Sequence, residues 1–232
     1  MKSNSSIYLF SSSPVFYKEA VPSFESFNNE NSYQLYSSLF LNHKENLDQS
    51  SKLYRIIYCI DEHDKNNLPK EFDSHSDEIF WGDFNHKVEL LKTMSDKYFI
   101  NSSNNLLIFS NSIGISTQDF QKVFNLLSIE DEATIIGKSN RDKIVFIGFN
   151  SFNKELFLEC NWESLNYDSL LARLGKHDNF LHVLGNYLAV NDLIDFKNRY
   201  AELSKKESLS YCSQNMHERF TNLFIEYKEL LK

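Results

Sequence analysis

Glycine is scarce in this chain, with 6 among 232 residues, and there are only 3 prolines and 3 cysteines. A loop that lets backbone approach a phosphate usually needs glycine, because any Cβ blocks the approach. The shortage therefore weighs against a phosphate cradle built from main chain alone. The cysteines, Cys59, Cys160 and Cys212, are odd in number, widely spaced and free of any C-x-x-C pairing. They read as reduced thiols packed into structure, as in a cytoplasmic protein. Basic charge is also short: 24 Lys and Arg stand against 32 Asp and Glu, a formal charge of −8. That balance argues against general nucleic-acid binding, which needs a basic surface to displace counterions. No apolar run approaches the ~18 residues of a membrane span, and Ile7–Phe10 is too short for a secretory signal, so neither is expected. The patterns G-x-S-x-G, P-loop, H-E-x-x-H and G-x-G-x-x-G are all missing.

Aromatic residues, by contrast, are plentiful, with 20 Phe and 12 Tyr, and they fall into strand and helix periods. Short β-branched or aromatic runs predict strands at Ile7–Phe10, Tyr54–Ile60, Glu78–Trp81, Asn105–Phe109, Thr134–Gly137, Ile144–Gly148 and Phe180–Leu184. Helical spacing joins Tyr33, Tyr36 and Phe40 (with His43), then Val88, Leu91, Met94 and Tyr98, then Phe120, Val123, Phe124 and Leu127 behind a capping box at Ser116–Asp119. Further helical segments are expected within 153–174 and from Asp192 to about Ser204. Strands alternating with helices predict an α/β three-layer sandwich on a mixed, mainly parallel sheet of about seven strands. A last amphipathic stripe, Met216, Phe220, Leu223, Phe224, Tyr227, Leu230 and Leu231, divides the chain into a domain over 1–205 and a C-terminal helix over 206–232. So apolar a stripe must be covered. Packing on its own domain is favoured, with a two-fold dimer as the alternative, leaving monomer or homodimer open.

Three segments carry the functional reading. Phe109-Ser110-Asn111-Ser112-Ile113-Gly114 lies at the carboxyl end of a predicted central strand, the edge at which open α/β sheets bind ligands. Gly137-Lys138-Ser139-Asn140-Arg141-Asp142-Lys143, running on to Gly148, reads as a charged turn between two strands, and Ala189-Val190-Asn191-Asp192-Leu193-Ile194-Asp195-Phe196 as a helix entry. In order and spacing these resemble the signature segments of the radical-SAM/selenodomain-associated transferase-like family, which has a GT-A type glycosyltransferase fold. The resemblance runs from about Ile7 to Tyr200. It implies a nucleotide-diphospho-sugar transferase-like domain acting on a nucleotide-activated donor.

Where the family pattern has aspartates, this chain has Asn111, Arg141, Ala189 and Asn191. A hard divalent cation prefers anionic oxygen ligands, so Mg²⁺ or Mn²⁺ is expected to bind weakly or not at all, and no metal-ligand set is assigned. The residues that the resemblance places toward a nucleotide or sugar are Lys18, Asp83, Lys87, Asn111, Ser112, Arg141, Lys143 and Trp162. Arg141 and Lys143 would neutralise a diphosphate in place of a metal, or else form an exposed hairpin turn. A separate cluster, Asp61, His63, Asp64, Asp73, His75 and Asp77, lacks the tight spacing of a structural zinc site and reads as a solvated acidic loop. The expected function is that of a degenerate glycosyl- or nucleotidyltransferase-like protein, inactive or with altered chemistry. A non-catalytic binding or assembly protein on the same scaffold is the rival.

Overall fold

The structure is a computed structural model that describes residues 4–11, 13–73, 76–152, 167–174 and 180–231. Among these residues eight strands form one sheet: β1 (Ser5–Phe10), β2 (Arg55–Asp61), β3 (Glu78–Gly82), β4 (Asn104–Phe109), β5 (Ser112–Ile113), β6 (Ala133–Ser139), β7 (Ile144–Phe149) and β8 (Phe180–Ala189). Their spatial order is β3-β2-β1-β4-β7-β6-β8-β5. The pairs β3–β2, β2–β1, β1–β4 and β6–β8 are parallel, whereas β7 runs against both β4 and β6, and β5 runs against β8. The sheet is thus mixed and mainly parallel. The eighth strand is β5, two residues that periodicity cannot register because a strand signal needs several alternations.

The central strands β1, β4 and β7 are buried on both sides, and their side chains alternate between two cores. Ile7 and Leu9 of β1 point into one core, Tyr8 and Phe10 into the other. The first core is covered by α1 (Asn29–Ser50), α3 (Thr117–Ile129), α5 (Leu193–Leu203) and α6 (Gln214–Glu226). The second is covered by α2 (Lys87–Lys97) and α4 (Tyr167–Leu174). The result is a three-layer sandwich.

Local chemistry sets the helix starts. Asn28 caps α1 by accepting from the Asn31 N–H at 2.8 Å, so the helix begins ahead of Tyr33, the first residue of the expected stripe. The face of α1 turned to the core carries Leu35, Leu39, Phe40, His43 and Leu47, while Tyr33 is only half-buried. The helix is therefore rotated slightly from the expected Tyr33–Tyr36–Phe40 stripe, because Leu35 rather than Tyr33 fills the space under the sheet. At α3 the Asp119 carboxylate accepts from the Ser116 N–H at 2.8 Å, the reach-back of a capping box. Phe120, Val123, Phe124 and Leu127 are buried below it, as the spacing predicts. On α6, Met216, Phe220, Leu223 and Phe224 join the first core, and the Tyr227 ring stacks on Phe27 at 3.8 Å.

Gly137 and Gly148, the outer glycines of the second landmark, have a packing reason. A Cβ on Gly137 would stand 2.2 Å from the buried Phe146 ring across the β6–β7 pair, and one on Gly148 would stand 2.8 Å from Val123. Phe146 is itself held edge-on against Tyr187. Gly137→Ala is therefore expected to cost about 1–3 kcal/mol by overpacking, read as a lowered midpoint in urea with an unchanged slope. A variant as stable as the parent would show that Phe146 can move aside.

Candidate functional site at the carboxyl edge of the sheet

Six parallel strands send their carboxyl ends to one edge, and strand order reverses between β1 and β4. Open α/β sheets bind ligands at such a point. Ser11 follows β1 and Asn111 follows β4 on either side of it. The Ser110 N–H donates to Phe10 O at 2.9 Å, which keeps the two strand ends together.

To one side of Asn111 the three landmark segments converge in a single network. Asn111 Nδ2 donates to Asn191 Oδ1 at 2.7 Å, and the Val190 N–H donates to Asn111 O at 2.7 Å. The Asn191 N–H in turn donates to Asp195 Oδ2 at 3.1 Å. The other oxygen of Asp195 accepts from Arg141 Nη1 at 2.8 Å, and the same nitrogen contacts Asp192 at 2.6 and 2.7 Å. The Asp192 carboxylate also caps α5 by accepting from the Asp195 N–H at 2.9 Å. Asp195 is buried, with 6% of its side chain exposed. Bonds to Asp192 and Asp195 raise the Arg141 pKa further. Burial opposes ionisation of Asp192, yet Arg141 and the Asp195 N–H outweigh it and hold its carboxyl below the usual range. A guanidinium is permanently charged, and here it occupies the carboxylates of Asp192 and Asp195.

The hairpin that carries Arg141 is shaped locally. Asp142 adopts φ of 56°, a left-handed conformation that Asp tolerates in turns. Ser139 Oγ accepts from the Arg141 and Lys143 N–H groups at 3.3 and 3.1 Å. Lys143 is exposed, whereas Lys138 pairs with Asp142 at 2.6 Å and sits over the Tyr167 ring.

Across the switch point, the loop after β1 is also internally satisfied. Three consecutive backbone donors, the N–H groups of Val15, Phe16 and Tyr17, converge on the Asp64 carboxylate at 2.9, 2.9 and 2.7 Å. Asp64 is fully buried. Burial pushes its pKa up, against the pull of those three N–H bonds. Such a run of N–H groups is an anion-binding arrangement, and the chain fills it with its own carboxylate.

Two imidazole–carboxylate pairs complete the edge. His63 Nδ1 lies 2.6 Å from Asp61 Oδ1 after β2, and His86 Nδ1 lies 2.6 Å from Asp83 Oδ2 after β3. Hydrogen bonding to these carboxylates raises both histidine pKa values. Asp61 is buried, with its Oδ2 accepting from the Phe84 N–H at 3.4 Å, whereas both histidines are well exposed.

Among the predicted site residues, Asn111 and Arg141 are thus joined through Asn191 and Asp195, with Asp83 on the same edge but in a separate pair. Ser112 turns inward: its Oγ donates to Phe109 O at 2.6 Å, and it is buried against His43 of α1. Lys18 pairs with Glu30 in the first turn of α1. Lys87 opens α2, but its side chain lies outside the described residues, as does all of Trp162. The acidic loop does not gather for a metal. Asp77 pairs with Lys44 at 3.1 Å, Asp64 holds the first loop, and His75 lies outside the described residues. Among the described residues no group of three His, Cys, Asp or Glu side chains converges as ligands. With Asn111 and Asn191 neutral and Asp192 and Asp195 held by Arg141, this donor set does not fit a hard divalent cation. A groove of about 480 Å³ lies elsewhere, between Asn4, Ser95, Phe99, Ser102 and Asn150 beyond the amino end of β1 and β4, and offers no reactive group.

The sequence reading of a solvated acidic loop fails at Asp61 and Asp64, which are both buried because backbone N–H groups bond to their carboxylates, and it did not single out Arg199. The signal for Arg199 was present: it falls on the apolar stripe of α5 between Phe196 and Leu203, and all three are buried.

No family model and no curated protein matches the sequence. Among the described residues no helix is long and apolar enough to cross a membrane. Solved structures do resemble the fold. A nucleotide-diphospho-sugar transferase, so described, from Desulfovibrio desulfuricans G20 aligns over 99% of this chain and 97% of its own, with a TM-score of 0.67 at 18% identity. The 4-diphosphocytidyl-2C-methyl-D-erythritol synthase of Anaerococcus prevotii DSM 20548 aligns over 97% and 99%, with a TM-score of 0.52 at 12% identity. A cytidylyltransferase from Leptospira borgpetersenii aligns over 99% and 97%, with a TM-score of 0.52 at 9% identity. The chain therefore has the fold shared by nucleotide-diphospho-sugar transferases and cytidylyltransferases.

Proposed function

We propose that this protein is a degenerate member of the transferase-like group, one that keeps the nucleotide-sugar scaffold without metal-dependent glycosyl or nucleotidyl transfer. One observation carries the reading: Arg141 is held by Asp192 and Asp195 beside a neutral Asn111–Asn191 pair. Transfer from a nucleoside diphosphate donor builds negative charge on the leaving diphosphate, and a metal or free cationic groups must meet that charge. Here the edge cation is already neutralised by carboxylates, and the backbone donors of residues 15–17 are taken by Asp64. The chemistry left at the edge is binding. The exposed imidazoles of His63 and His86, whose Asp partners favour the protonated form, and the exposed Lys143 are groups that a nucleotide phosphate would meet. The two pairs also favour a second reading, in which His63 serves as a base in a changed, metal-free reaction.

Thermal unfolding separates these readings. Any ligand of the folded state raises the melting temperature by mass action. Millimolar CTP, UDP-glucose or GDP-mannose is expected to give at most a small rise, the same with Mn²⁺, Mg²⁺ or EDTA, and no released nucleotide by chromatography. A rise that needs Mn²⁺, or metal-dependent turnover of any donor, would overturn the proposal. Metal-independent turnover abolished by His63→Ala would establish the second reading instead.

A further inference from the structure

Among the described residues Arg199 has no counter-charge. It lies on the core face of α5, fully buried, and its Nε, Nη1 and Nη2 atoms have no hydrogen-bond partner among those residues. It lies over the Phe220 ring of α6, whose centroid is 3.4 Å from the guanidinium carbon. A ring face attracts a cation, but it offers no lone pair to five N–H donors.

The ionisable groups around Arg199 do not neutralise it. Its charge acts on His43 of α1, on His217 of α6, and on Tyr211 and Cys212 between α5 and α6. Burial, aided by Arg199, lowers the His43 pKa to about 4, so its imidazole is neutral; Nε2 donates to Ser112 O at 2.8 Å. Burial raises the Cys212 thiol to about 12 and the Tyr211 phenol above its usual value, so both stay protonated. Burial lowers Arg199 itself to about 9, which still leaves it charged at neutral pH. One uncompensated positive charge therefore sits inside the first core, an arrangement that native proteins avoid by pairing.

We propose that the interior between α1, α5 and α6 binds one small monovalent inorganic anion, of halide or nitrate size, on the guanidinium of Arg199. A single charge calls for a monovalent partner, and burial among helices calls for a small one. Water can satisfy the N–H groups, but it leaves the charge uncompensated. Two buried acceptors on α1, Asn42 Oδ1 and His43 Nδ1, also lack partners among the described residues. They need donors, so ordered water accompanies the anion. The proposal stands whatever is bound at the carboxyl edge of the sheet.

The test is thermal unfolding of the full chain in sodium chloride, bromide or gluconate at equal ionic strength. Gluconate is too large to enter. Wild type is expected to melt several degrees higher in the halides, with a saturable dependence on concentration. Arg199→Met, which keeps an unbranched apolar stem and removes the charge, is expected to melt at one temperature in all three salts. Equal melting of wild type in halide and gluconate, or a halide response that survives in the variant, would overturn the proposal. Should the variant not fold, a wild-type crystal grown in bromide decides. Anomalous density is expected within hydrogen-bond distance of Arg199, and water alone there would overturn the proposal.

Discussion

Asp64→Ala is expected to lower stability by about 3–5 kcal/mol. The carboxylate accepts three backbone N–H bonds from residues 15–17, and Val15 and Phe16 are themselves buried. Alanine would strand those donors without water, at roughly 1–3 kcal/mol each, with some recovery as the loop relaxes. In a chain of this size the loss corresponds to a fall of roughly 10 °C in melting temperature. Asp64→Asn should lose less, since its amide oxygen still accepts two of the bonds. Loss of these bonds would also release Phe16, whose ring packs edge-on against Phe40 and Phe72. An Asp64→Ala protein melting within about 2 °C of the parent would show that the loop finds other acceptors.

The second large effect is a gain. Asn111→Asp combined with Arg141→Ala is expected to create Mn²⁺ binding at an edge where the parent has little. Removing Arg141 releases Asp192 and Asp195, and the new carboxylate at position 111 faces them through Asn191. Three anionic oxygen donors then converge, a set that a hard cation accepts. Neither single variant should suffice. Asn111→Asp leaves Arg141 neutralising both acids, and Arg141→Ala leaves Asn111 and Asn191 without charge. Calorimetric titration should show an affinity at least roughly tenfold above the parent, with a matching rise in melting temperature. Tight Mn²⁺ binding by the unmodified protein, abolished by Asn111→Ala, would contradict the account of the edge. A double variant with no gain would show that the carboxylates do not converge.

What could be read beforehand followed from the range of each interaction. Strand positions such as Asn105–Phe109 and the buried face of α3 are local patterns, and they appear where the alternation and the 3.6-residue period put them. That positions 111, 141, 189 and 191 carry no acid is equally plain. How those segments are joined is not, because it depends on contacts between distant parts of the chain. Asp64 reaches residues 15–17 across 47 to 49 positions, and Arg141 reaches Asp195 across 54. A carboxylate in an acidic loop gives no sign of such a partner. Ser112 shows the converse: its polar neighbours suggest an exposed turn, but β5 pairing with β8 turns it inward. Arg199 lies in a segment expected to be helical, and its burial follows from its phase with Phe196 and Leu203, which outweighs the usual exposure of a charged side chain.

The clasp at Tyr227 has a consequence for how the chain is made. Its phenol oxygen accepts from the Asn28 N–H at 3.2 Å and from Asn31 Nδ2 at 2.9 Å, closing a span of 199 positions. Met216, Phe220, Leu223 and Phe224 complete the same layer. During synthesis at roughly 5–20 residues per second, the helix that carries Leu35, Leu39 and Phe40 waits about 10–40 seconds for this cover. Through that interval its apolar side is open to the ribosome surface, to holdases and to other nascent copies. Slow translation of the intervening segment would lengthen the exposure without changing the final structure.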